Sequence, residues 1–258
     1  MGLGNQKEEM INTNWEPKHN LFFDQTERLV SPVIPKSACT TLRHYVFNVD
    51  DNPENMLFKE EFSQSEINDI PNDYDCLMFI REPLDRMISG IAEVMYRQLI
   101  REDLLTSEGI TNYQNSDRIE EFIWNFVNHN DTKTLKGMFK SFTAYGALNI
   151  HVEQQTTIMD WQNLQNKFKN ITMIEVDENL WPNITQWMNE RGTPISNEPY
   201  VNANLAFRKG HKAYIKGIYT LAVKDNRNNL LDDYKEYFQT DIDFYNSHKA
   251  EFYRGAEQ

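Results

Sequence analysis

Apolar positions along the chain follow two periods, and the alternation between them predicts the elements. CLMFI (Cys76–Ile80) is an unbroken apolar run, as a strand covered on both faces requires. ITMIEV (Ile171–Val176) has the same character. LVSPVI (Leu29–Ile34) reads as a shorter strand, and its Pro32 points to an edge-like or irregular start. MLFKEEF (Met56–Phe62) supplies another strand inside an acidic stretch. Elsewhere the period lengthens. Leu84, Met87, Ile88, Ile91, Met95 and Leu99 recur every three or four residues, with Pro83 placed where a first turn tolerates proline. Ile119, Phe122, Ile123, Phe126 and Val127 mark a second amphipathic helix. Further helices are expected over Thr40 to Phe47 with Thr40 or Thr41 as its cap, around Asn183–Arg191 ending at Gly192, over His211–Asp225 and over Asn229–Phe238. Strands alternating with helices predict an α/β fold, a mostly parallel sheet flanked by helices on both faces. Residues 1–27 are polar and read as an N-terminal arm; residues 28–258 then form one domain.

Composition narrows the function. The formal charge is −13 with no dense Lys/Arg run, which excludes an ordinary nucleic-acid binder and disfavours a polyanionic substrate. Two cysteines, Cys39 and Cys76, cannot build a disulfide framework, and no zinc spacing surrounds them; buried reduced thiols are expected. MGLGNQKEEM has no apolar leader core, and no apolar run is long enough to span a membrane. The expectation is a cytoplasmic protein with no membrane and no nucleic-acid partner.

Two stretches carry chemistry. Pro35-Lys36-Ser37-Ala38-Cys39-Thr40-Thr41 lies between a strand and a helix, where backbone N–H groups and a helix start face an anion. Lys36 adds a charge, and Thr40 and Thr41 add hydroxyls. The placement is P-loop-like, yet it is not a Walker A loop, because the lysine precedes the turn. A capped turn without function would use the same residues. The second stretch, Arg81-Glu82-Pro83-Leu84-Asp85-Arg86-Met87-Ile88-Ser89, starts at a strand's carboxyl end, where ligands bind in open α/β sheets. Arg86 and Ser89 share a helix face, and a guanidinium beside a hydroxyl suits a phosphate. A solvated helix start with Glu82 paired to Arg86 would explain Arg86 but not Arg81.

Together the two stretches resemble the cofactor signatures of sulfotransferases that use 3′-phosphoadenosine 5′-phosphosulfate (PAPS). The closest likeness is to the carbohydrate sulfotransferases of the chondroitin/HNK-1/heparan 2-O type. The likeness continues in His151-Val152-Glu153-Gln154-Gln155, similar to an H-x-x-x-Q segment, and in Tyr234 through Tyr245. Phe207-Arg208-Lys209-Gly210 is similar to the RKG segment of cytosolic sulfotransferases, without its GDW continuation. The resemblance implies that Lys36, Ser37, Ala38, Cys39, Thr40 and Thr41 hold the 5′-phosphosulfate, and that Lys36 stabilises the leaving charge. It implies that Arg81 and Ser89, joined by Arg208, Lys209 and Gly210, hold the 3′-phosphate. PAPS would be the donor and 3′-phosphoadenosine 5′-phosphate (PAP) the product, with no metal. The partner would be a glycan, lipid or small-molecule acceptor presenting a hydroxyl or amine. The general base is open between His151 and Glu60, with Glu61 beside it. Two other readings stay available: an ATP-using P-loop kinase-like phosphotransferase, and a non-catalytic nucleotide-binding module.

Overall fold

The computed structural model describes residues 19–47, 56–62, 64–101, 121, 154–195, 203–226 and 230–255. The strands are β1 (His19–Asp24), β2 (Leu29–Pro32), β3 (Met56–Phe62), β4 (Asp75–Ile80) and β5 (Asn170–Glu175). The helices begin with α1 (Cys39–Thr41), which runs on into a π-turn over Leu42–Val46, then α2 (Gln64–Asp69) and α3 (Pro83–Arg101). After them come α4 (Gln155–Met159), α5 (Trp161–Lys167), α6 (Leu180–Glu190), α7 (Ala203–Lys224), α8 (Leu230–Tyr237) and α9 (Gln239–His248).

The five strands lie in the order β3-β1-β2-β4-β5. β2 pairs in parallel with β4, and β4 with β5, while β1 is antiparallel to both β2 and β3. Among the described residues, four strands therefore point one way and β1 runs against them.

Alternation along the strands divides the core. Cys76, Met78 and Ile80 face one side with Leu21, Phe23 and Val30, where α4, α5 and α9 cover them through Met159, Leu164 and Phe244. Leu77 and Phe79 face the other side with Phe22 and Leu29, under Leu42, Ile184 and Trp187. Helices thus cover both faces of an α/β sheet, as the unbroken run Cys76–Ile80 requires. Each such side chain contributes roughly 1.5–3 kcal/mol by leaving water. A third cluster joins α3 to α7 through Met87, Ile91, Ile215 and Tyr219.

The arm expectation fails at residues 19–24. His19–Asp24 is an interior strand, with Leu21, Phe22 and Phe23 buried. A three-residue apolar run buried on both faces has no period to read within a polar stretch. The Asp24 carboxylate accepts the N–H groups of Thr26 and Glu27, and Arg28 takes φ 52°, so the chain reverses into β2 at once. Pro32 does not mark an edge either: β2 lies between β1 and β4. The proline is its last residue, level with Leu21 of β1 and beyond the β4 ladder, which reaches only Val30. Neither Thr40 nor Thr41 caps α1; that position belongs to Ala38 at φ 53°. Gly192 does end its helix as expected, at φ 80°, with its N–H on Asn189 O at 3.0 Å. Helix α7 starts at Ala203, well before His211, and α9 is an element the periodicity did not show. The helix expected around Ile119–Val127 lies outside the described residues, save residue 121.

Candidate active site

The chain leaves β2 through a strained turn. Ser37 N–H bonds Ile34 O at 3.1 Å, and Lys36 and Ala38 both take left-handed backbone, φ 67° and 53°. Two non-glycine residues with positive φ in three positions cost backbone energy, a pattern that concentrates at ligand sites. Alternating left- and right-handed residues also turn successive N–H groups inward, toward an anion. Ser37 is fully buried, and its Oγ has no hydrogen-bond partner among the described residues. A buried orphan hydroxyl is a group that a ligand's acceptor oxygen can satisfy. Cys39 is half-buried and Cys76 fully buried, so only the second is the enclosed thiol expected; burial pushes the Cys76 thiol far up.

Arginines from the second stretch hold this turn. Arg81 lies where β4 ends, and its NH1 donates to Lys36 O at 3.0 Å. Its Nε and NH2 donate to Asp85 Oδ2 at 3.3 and 3.0 Å, so the i,i+4 ion pair here is Arg81–Asp85. The Glu82 carboxylate instead accepts Asp85 N–H at 2.7 Å and caps α3. Arg86 is fully buried and its Nε donates to Pro35 O at 3.1 Å. The sequence suggested that Arg86 and Ser89 converge on a phosphate; Arg86 is placed to fasten the turn. Ser89 lies half-buried on α3.

Gln155, the last residue of the H-x-x-x-Q segment, is fully buried beside Arg81. Its Nε2 donates to Arg81 O at 2.9 Å, and its Oε1 faces Arg81 N–H at 3.5 Å. Asp241 of α9, also fully buried, accepts Gln155 N–H at 2.8 Å, Thr156 N–H at 2.9 Å and Thr156 Oγ1–H at 2.6 Å. Arg81 is therefore set by a chain of bonds reaching the C-terminal helix. Asp241→Ala strands two N–H groups, one buried and one half-buried, and a stranded buried group costs about 1–3 kcal/mol. Urea unfolding should show a loss of about 3 kcal/mol with an unchanged slope. A loss under about 1 kcal/mol would deny Asp241 this part.

Lys216 of α7 is a site cation the sequence reading missed. Burial and the neighbouring Arg81 charge push its ammonium below the ordinary lysine range, with Asp85 pulling the other way. A lone lysine on an amphipathic helix carries no local signal; only packing of α7 on α3 brings it near Arg81. Arg208, Lys209 and Gly210 lie earlier on the same helix.

Glu60 is on β3, one residue beyond Lys59, which is level with Leu21 and, across β1, with Pro32. Glu60 is thus at the carboxyl end of its strand, two strands from the loop, roughly 10 Å at ordinary strand spacing. Glu61 follows it on β3, and His151 lies outside the described residues. His248 packs on Phe244 and Trp161, with Nδ1 at 2.9 Å from Phe244 O.

A polar cleft of about 1000 Å³ opens at the carboxyl end of β5, lined among others by Glu175, Asp177, Trp181, Asn183 and Arg254. Trp181 meets Tyr45 edge-on at 5.1 Å, which joins the cleft wall to the π-turn after the loop. Glu175 accepts the Tyr245 hydroxyl, and burial together with that carboxylate pushes the phenol far up. Among the described residues, no group of three or more His, Cys, Asp or Glu side chains is placed to hold a metal. Among them, too, no helix is long and apolar enough to cross a membrane.

Compared with known families, residues 19–248 match the family model described as "Sulfotransferase family". Neither the comparison with curated proteins nor that with solved structures finds a match.

Proposed function

The chain belongs to the sulfotransferase family, and on that premise we propose that it moves a sulfuryl group from PAPS to an acceptor hydroxyl or amine, releasing PAP. The observation that carries the donor assignment is the Arg81 bond to Lys36 O, 3.0 Å long between residues 45 positions apart. It unites the two stretches that resemble the family's cofactor signatures. The orphan Ser37 hydroxyl and the strained turn fit a phosphosulfate in a P-loop-like cradle. Arg81, Ser89 and Lys216 fit a second phosphate, the 3′-phosphate. Arg208 and Lys209 lie on the same helix, about two turns before Lys216.

The donor supplies an activated S–O bond whose leaving group is a phosphate oxygen. The acceptor oxygen or nitrogen bonds to sulfur as the bridging S–O bond breaks, and that electron pair goes to the 5′-phosphate. Lys36 stabilises the growing negative charge, while the turn N–H groups and the Ser37, Thr40 and Thr41 hydroxyls hold the phosphosulfate oxygens. The acceptor proton passes to His151, with Glu60 or Glu61 as the alternative base. A neutral imidazole works near pH 7 without a large pKa shift, whereas a glutamate needs burial to raise its own. His151→Ala should abolish turnover with PAP binding intact; full activity in that variant moves the role to Glu60 or Glu61.

A nucleotide panel in thermal and chemical melts tests the donor. PAP at a hundredfold excess over its dissociation constant should stabilise the fold by about 2.7 kcal/mol. AMP and ATP at equal concentration should do much less, since neither presents a 3′-phosphate to Arg81. Equal stabilisation by ATP would support the phosphotransferase reading instead. The acceptor should be neutral. The net charge of −13 repels polyanions at long range, so rates on neutral glycans, lipids or small hydroxylated compounds should exceed those on heparan-like chains.

A further inference from the structure

Lys36 is one half of a largely buried ion pair. Its Nζ donates to Glu93 Oε2 at 2.8 Å, with the two side chains 22% and 10% exposed. Glu93 lies within α3 between the buried residues Ala92 and Val94. A carboxylate there pays a desolvation cost unless it is paired. Its other oxygen accepts Arg97 Nε at 2.9 Å, one turn further on. Arg86, Ser89, Glu93 and Arg97 are spaced by three and four residues, so they share one face of α3. That face meets the loop, since Arg86 bonds Pro35 O. Any anion seated in the turn must therefore compete with Glu93 for the Lys36 ammonium.

We propose that Glu93 is a positioning residue, the resting counter-ion of Lys36, which gives the lysine up when the donor's phosphosulfate binds and takes it back as the product nucleotide leaves. This rests on the PAPS reading above. Arg97 makes the exchange feasible, because it still neutralises Oε1 when Lys36 turns away. The two neighbours of Lys36 then act with opposite sign. Glu93→Gln keeps the shape and an acceptor oxygen but removes the competing charge, so nucleotide binding tightens. Arg97→Ala leaves Glu93 more dependent on Lys36, so nucleotide binding weakens; with its side chain 56% exposed, Arg97 can be removed without unfolding the core.

The test is calorimetric titration of PAP and AMP into wild type, Glu93→Gln and Arg97→Ala, and into both variants carrying Lys36→Ala. Glu93→Gln should tighten PAP binding roughly fivefold or more, and Arg97→Ala should weaken it by about threefold or more. In the Lys36→Ala background both effects should shrink to within about twofold, because contact competition for the ammonium is gone and only screened repulsion remains. Weaker or unchanged binding in Glu93→Gln overturns the proposal, as does an undiminished effect without Lys36. If Glu93→Gln does not fold, unchanged PAP affinity in Arg97→Ala overturns it alone. Wild type that selects PAP over AMP while the variants show the wrong signs sinks only the exchange. Wild type that binds PAP no better than AMP sinks the PAPS reading, and the exchange with it.

Discussion

Lys36→Ala should lower kcat by roughly 10²–10³-fold, the loss seen when one preorganised charge-stabilising donor is removed from a transition state. PAP affinity should change far less. On the proposed exchange, Lys36 in the ground state trades one anion, Glu93, for another on the ligand, and the two attractions largely offset each other. In the transition state, charge accumulates on the bridging oxygen as the S–O bond breaks, and the exchange no longer balances. The measurement is initial rates with PAPS and an acceptor found by screening, beside calorimetric PAP binding. A variant with normal kcat and only a raised KM would show that Lys36 merely binds donor.

Arg81→Met should weaken PAP binding by roughly 10–100-fold and AMP binding by less than about threefold, so that the preference for a 3′-phosphate collapses. Arg81 has five N–H donors. Three of them serve Lys36 O and Asp85 among the described residues. The rest are available to an oxyanion, and a charged hydrogen bond of that kind is worth about 1.5–3 kcal/mol. Losing the bond to Lys36 O also loosens the turn, so a modest fall in melting temperature should accompany the change. The informative readout is the PAP-to-AMP affinity ratio, which a merely structural loss would leave standing. An unaltered ratio would remove the 3′-phosphate from Arg81.

Much of the fold was legible because each element's burial is written in its own period. Cys76–Ile80 is apolar at every position because helices cover both faces of β4, and Met87, Ile88, Ile91 and Met95 recur at helical spacing because α3 buries one stripe against α7. β1 was not legible: its apolar content is Leu21, Phe22 and Phe23, too short to show a period, and its partners β2 and β3 lie later in the chain. The same limit hid α9. Its Asp241 reads as surface charge, yet the carboxylate is buried because it caps α4.

By itself the sequence determined which residues are proposed to receive an anion. A lysine and hydroxyls at a strand-to-helix turn, and an arginine at the end of a strand, are local features, and their chemistry follows from residue type and order. Tertiary structure alone decided how those groups are committed. Lys36 meets Glu93 across 57 positions, Arg86 turns inward to Pro35 O while Arg81 remains at the turn, and Lys216 approaches Arg81 from a helix more than a hundred residues away. Periodicity records which face of an element is buried. Which residue of another element stands opposite depends on packing angle and register, and a single chain's order does not carry that.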